Sequence, residues 1–145
     1  MAESELAKYI RKTESPDLGK TDNSAPKRLI IKNNGDFGDR VFSMATVAII
    51  KPHDMVAEHH YHDFDQYLFF TGGDPLNLPE LGGEVEFTLS KNGKNLEEFT
   101  ITESTCVYIP AGMWHCPLKF KMINDPEKPI LFTNLFYNTE YILKK

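Results

Sequence analysis

From Arg28 onward, apolar and polar positions fall into short β-rich runs separated by turn residues. The pattern predicts strands near Arg28–Lys32, Val41–Ile50, Val56–His62, Gln66–Thr71, Glu84–Ser90, Glu97–Thr102, Thr105–Ile109, Trp114–Lys121 and Ile130–Tyr137. Between them stand turn signals: Asn34-Gly35, Pro52, Gly72-Gly73-Asp74-Pro75, Asn92-Gly93, Pro110 with Gly112, and Asp125-Pro126. Many short strands at such spacing predict an all-β chain, an antiparallel sandwich or barrel. Ahead of them, residues 1–12 predict a short helix with Leu6, Ala7 and Ile10 on one side, and residues 13–26, broken by Pro16, Gly19 and Pro26, predict a flexible polar lead-in. The expected organisation is a lead-in over 1–27 and a single β domain over 28–145. Gly72 to Gly83, rich in proline and turn residues, is expected to be an ordered surface loop shaping a cavity mouth.

Composition narrows the function classes. A chain of 145 residues suits one domain with a real core. A net charge of −5 leaves no basic stripe to neutralise phosphates, which argues against a nucleic-acid partner. The longest apolar-leaning run, Val41 to Ile50, contains Ser43 and Thr46 and reads as a strand, not a membrane span. With no apolar signal region at the N-terminus, a cytoplasmic location is expected.

Candidate chemistry concentrates in two places. Four of the five histidines lie between His53 and His62, and the fifth, His115, follows the turn signal Pro110-Ala111-Gly112. His60-x-His62 on a strand puts two imidazoles on one face. Asp63, Phe64 and Asp65 can form a tight turn that returns Gln66 on the neighbouring strand, with Asp65 as rival oxygen donor. A hairpin around Ala111 would place His115 opposite Val107, on the face of Ile109. Tyr108, Trp114, Cys106 and Cys116 would share the other face, the cysteines as two reduced thiols rather than a disulfide. A divalent metal would satisfy three such imidazoles at once, each using its other nitrogen for a hydrogen bond to the protein. His59 is expected to face outward and His53 to lie in a loop.

These residues resemble the two motifs of the cupin superfamily. The first motif, G-x5-H-x-H-x3,4-E-x6-G, is met by His60, His62 and Gly73, with Asp54 at the first glycine and Gln66 at the glutamate. The second, G-x5-P-x-G-x2-H-x3-N, is met by Pro110, Gly112 and His115, with Ser104 and Lys119 at its first and last positions. The resemblance spans residues 54–119. It implies a cupin-type β-barrel (a double-stranded β-helix or jelly roll) and one divalent transition metal, Fe, Mn, Ni or Zn, held by His60, His62, Gln66 and His115. Cupins often pair through their sheets, so a homodimer through Tyr108 and Trp114 is expected.

Replacing Glu by Gln leaves the ion its full charge, which strengthens it as a Lewis acid and favours an anionic ligand. Strand parity places Phe64 and Phe70 beside the ligands, and Phe132 and Asn134 on the inward face of the last strand. Tyr61 is the nearest hydroxyl. These five are the expected contacts for a small-molecule ligand. Three function classes stand open: a metal-dependent enzyme of oxygenase, isomerase or lyase type acting on an oxygen-rich chelating substrate; a non-catalytic small-molecule-binding module for sensing or storage; and a structural barrel whose histidines are merely hydrogen-bonded.

Overall fold

The computed structural model describes residues 4–15 and 26–145. Its strands are β1 (Leu29–Asn33), β2 (Phe42–Ile49), β3 (His53–Val56), β4 (Gln66–Thr71), β5 (Glu80–Ser90), β6 (Glu97–Glu103), β7 (Thr105–Ile109), β8 (Trp114–Ile123) and β9 (Ile130–Phe136). They form two facing antiparallel sheets, ordered β1-β2-β9-β4-β7 and β3-β8-β5-β6. Period-two alternation decides which face is buried: Gln66, Leu68 and Phe70 of β4 are buried while Tyr67, Phe69 and Thr71 are half-exposed. β9 obeys the same rule, with Ile130, Phe132 and Phe136 buried.

An aromatic cluster fills one end of the barrel. Phe70 packs against Phe132 at 5.2 Å, Phe120 at 6.1 Å and Phe87 at 6.3 Å between ring centroids. Leu81, Val85, Ile109 and Ile130 complete this core at 1% exposure or less. The histidines sit at its border, with the His115 ring 6.3 Å from that of Phe87.

Several expected elements are differently drawn. The strand expected over Val56–His62 lies instead at His53–Val56, paired with β8; residues 57–62 form an extended segment held by bridges at His60 and Tyr61. The expected hairpin around Ala111 does not form. β7 pairs with β4 and β8 with β5 and β3, so the Pro-Ala-Gly turn carries the chain from one sheet to the other. His115 therefore stands opposite Leu89 and His60, not Val107. Tyr108 and Trp114, on different sheets, present no common outer face.

At the N-terminus, the expected short helix takes the form of a 3₁₀ turn over Glu5–Tyr9, capped by the Ser4 hydroxyl. Its apolar side chains find no core: Leu6 and Ile10 are 69% and 82% exposed, so little tertiary packing supports further turns. Glu14 pairs with Ile30 on the edge of β1. Residues 16–25, most of the expected lead-in, lie outside the described residues, as do 1–3. The expected 72–83 loop is shorter, because β5 already begins at Glu80.

Candidate metal centre

The backbone brings His60 and His115 together first. Each donates its N–H to the other's carbonyl, at 3.0 and 2.8 Å, which sets their side chains next to each other. The intersheet turn is pinned to the same segment, Gly112 N–H donating to the His62 carbonyl at 2.8 Å and Ala111 N–H to the Asp65 carboxylate at 2.9 Å. Gly112 takes φ 87°, a conformation that favours glycine. Ring centroids lie 4.4 Å apart for His60 and His115, 4.8 Å for His60 and His62, and 5.0 Å for His62 and His115.

Each imidazole has one nitrogen against a backbone carbonyl. Nδ1 of His60 faces the Glu58 carbonyl at 3.2 Å, that of His62 the Ile142 carbonyl at 2.6 Å, and that of His115 the Met113 carbonyl at 3.1 Å. A carbonyl only accepts, so each Nδ1 carries the proton and each Nε2 presents its lone pair. Gln66 is oriented likewise: its amide nitrogen donates to Asn134 Oδ1 at 2.8 Å, turning Oε1 the other way.

The outcome is an unusual set of orphans. Nε2 of His60, His62 and His115 and Oε1 of Gln66 are all buried with no hydrogen-bond partner. An unpaired buried polar atom costs about 1–3 kcal/mol, so four such acceptors, three of them on rings with centroids no more than 5.0 Å apart, favour an electrophile. Their chemistry fits a divalent transition ion, which takes neutral imidazole nitrogen and amide oxygen. Burial lowers the pKa of all three histidines, that of His115 to about 3, its other causes being the opposing Met113 hydrogen bond and repulsion from His60 and His62. The neutral form required of a metal ligand is therefore the resting form.

Cys116 joins the cluster, against the expectation that it faces out. Between the pairs Phe87–Leu118 and Leu89–His115 the register of β5 against β8 slips by one residue, a bulge at Cys116 and Pro117. Cys116 sits there at φ 79°, a region costly for a residue with a Cβ, and is 3% exposed. His115 and Cys116 thus both point inward, and the ligand atoms of His60, His115 and Cys116 lie within 4.8 Å of one another, a trio that does not include His62. Burial pushes the Cys116 thiol up to about 12. Cys106 is exposed, and both cysteines are free thiols.

The remaining expected contacts divide. Phe132 and Asn134 line a cavity of about 1060 Å³ that reaches Gln66, His115 and Cys116. Phe64 stacks on His62, with centroids 4.6 Å apart and planes 13° from parallel, and forms a wall of the cluster. Phe70 belongs to the aromatic core and does not line the cavity. Tyr61 lies against Trp114 at 4.9 Å, facing away from the cavity, and His59 packs on the same indole. Asp65 is exposed and spent on the turn. His53 is exposed, at the cavity mouth.

The hydroxyl that does reach the cluster is Tyr141. Its ring lies 4.6 Å from His62 and 5.4 Å from Phe136, and it lines the cavity. The residue is 45% exposed overall, and burial, then repulsion from Cys116, raises its pKa to about 12 against the opposing effect of the Gln66 side chain. It lies beyond the last strand, where no periodicity places it.

Similarity to known proteins was found at the level of structure. No family model matches the chain, and no curated protein matches it. The chain superposes on a solved oxalate decarboxylase with a TM-score of 0.52 and 18% identity, over 84% of this chain and 28% of that one. A Bacillus subtilis oxalate decarboxylase described for its Mn(II) centres gives 0.51 and 17%, over 84% and 28%. The B. subtilis enzyme at pH 4.6 gives 0.52 and 17%, over 83% and 28%.

The fold is that of a cupin.

At this identity the likeness carries the fold and not the activity. The match covers 28% of the length of those decarboxylases. In the cupin barrel described here, no helix among the described residues is long and apolar enough to cross a membrane.

Proposed function

We propose that the protein is a metal-dependent cupin enzyme acting on a small, oxygen-rich substrate that chelates the ion, with His60, His62, Gln66 and His115 as ligands. One observation carries this reading: Nε2 of each of three histidines with neighbouring rings, and Oε1 of Gln66, are buried without a partner. A bound divalent ion supplies Lewis acidity, lowering the pKa of a coordinated oxygen and stabilising an oxyanion or enolate. The chain's own residues do the rest. The Ile142, Met113 and Glu58 carbonyls fix the imidazole tautomers, and Asn134 aims the Gln66 oxygen. Tyr141, protonated at neutral pH, is placed to donate a hydrogen bond or proton to a ligand oxygen beside Gln66. Phe64, Phe132 and Phe136 exclude water from that face. The Mn(II) centres and the oxalate decarboxylase activity named for the structural neighbours support Mn(II) and lyase-type chemistry on a small carboxylate.

Two observations favour alternatives. The proximity of Cys116 to His60 and His115 supports a thiolate in the ligand set, in a trio that leaves out His62. No Asp or Glu is among the described residues lining the cavity, which favours ligand binding without turnover. A panel of oxo-acids, hydroxyketones and diols, offered to protein loaded with Mn(II) or Fe(II), separates these. Turnover of any member, reduced at least about tenfold in Tyr141→Phe, supports the enzyme. Saturable binding of a panel member without turnover supports the binding module, and neither result removes both.

A further inference from the structure

The cavity continues well beyond the imidazole cluster, and its far end has a different chemistry. From Gln66 and His115 it runs between the sheets past an apolar middle, Val47, Ile49, Met55, Leu118 and Phe132. It ends where the edge strands β1 and β3 face each other, and there Lys27, Arg28, Lys32 and Lys51 line it. Acidic residues outnumber basic ones 21 to 16 in the chain, yet none is among the described lining residues. Half-buried Arg28, just ahead of β1, and Ile30 on it line the cavity together with Lys32, which is exposed. None of the four cations makes an ion pair among the described residues. Arg28 adds the decisive feature: its Nε is buried and has no hydrogen-bond partner. A guanidinium N–H left so is costly, and its planar fork matches a carboxylate or phosphate.

We infer that the cavity is a two-ended ligand site whose outer end, Arg28 and Lys32 with Lys27 and Lys51, binds the terminal oxyanion of an elongated apolar ligand. The oxyanion is a carboxylate or a phosphate monoester. In the sheet order β1-β2-β9-β4, Lys32 is level with Gln66 through Ser43 and Phe136, three strand spacings or roughly 14 Å away, and Arg28, four residues further along, is roughly 20 Å from Gln66. The body between the ends is apolar, as the lining of that stretch requires. The inference rests on the metal-centre reading only for the ligand's inner end; the outer end stands on the charges and the orphaned Nε.

Calorimetric titration of the full chain with decanoate, decyl phosphate and decanol tests it, in protein stripped of metal with a chelator and again after loading with Mn(II). One or both anions should bind about tenfold or more tightly than decanol in the stripped protein, and the tighter one identifies the oxyanion. Arg28→Met should remove that preference while leaving decanol affinity unchanged, and Arg28→Lys should restore part of it. Should Arg28→Met fail to fold, Lys32→Met with Lys51→Met should weaken anion binding alone. Equal affinity for alcohol and anions, no binding by any of the three, or variants that bind anions as the parent does would overturn the inference. Failure of the metal-centre reading looks different: Mn(II) is not retained, and the stripped and loaded titrations coincide while the Arg28 effect persists.

Discussion

At the scale of single residues, Gln66 as a ligand would set the character of the proposed centre. Its amide oxygen contributes no charge, whereas a carboxylate would cancel one unit of a bound ion's charge. Gln66→Glu should therefore retain metal more tightly than the parent in competition with a chelator, and Gln66→Ala less tightly. If Cys116→Ser releases the metal while Gln66→Ala does not, the fourth ligand is the thiol. Acid stability follows from the histidines. Because the folded pKa of His115 is depressed from 6.5 to about 3, the unfolded chain takes up the proton first. The stability contributed by the neutral imidazole is complete above about 6.5 and is lost as pH falls toward 3. For metal-free protein, urea midpoints should drop from pH 6.5 to about 5, before most carboxylates titrate, by up to about 1.4 kcal/mol per pH unit per proton. His115→Gln should flatten that slope; equal slopes in the two proteins would refute the assignment. His60, His62, Gln66 and His115 stand out in the sequence through their resemblance to the two cupin motifs, and the structure leaves a buried, unpartnered acceptor atom on each. Cys116 was not legible there, since a one-residue bulge reverses parity and leaves no mark in composition. Tyr141 was not either, since it reaches the cluster through a tail with no period.

At the scale of elements, the strands that alternate cleanly were readable to the residue: β4 and β7 lie where the pattern predicts. Pairing was less readable. A Pro-x-Gly turn looks the same whether it joins partners in one sheet or crosses between two, and only the competing pairs, β7 with β4 and β8 with β5, decide it. The segment over 57–62 looked like a strand because its alternation is real. Its partners, however, are His115 and Lys144 at isolated bridges, too few for a ladder. This gives the C-terminal segment a structural task. Lys144 and Tyr61 exchange backbone hydrogen bonds at 2.8 and 2.9 Å, holding the Ile142 carbonyl against His62. Lys144→Pro removes one of those donors. Metal affinity should fall about ten- to a hundredfold with the far-UV spectrum of the barrel retained; parental affinity in that variant would show the segment to be irrelevant.

For the molecule as a whole, two sheets enclose an aromatic core at one end and a polar cluster beside it, and the two adjoin at Phe87 and His115. Phe87 packs within the core and against His115. Close packing transmits displacement, so core and site should be disturbed together. The sequence predicted this division of labour in outline, with alternation specifying the core and histidine spacing the cluster. It did not predict the cavity's basic end, because Lys27, Arg28, Lys32 and Lys51 converge only once β1 and β3 become the facing edges of two sheets.

The central claim is that the orphaned nitrogens of His60, His62 and His115 share one ion. Elemental analysis of untagged protein, as purified and after anaerobic reconstitution with Mn(II), Fe(II) and Zn(II), tests it most directly. About one ion per chain is expected, falling to background in His115→Ala of unchanged fold. Less than about a tenth of an ion per chain under every condition, or full occupancy in His115→Ala, would contradict it.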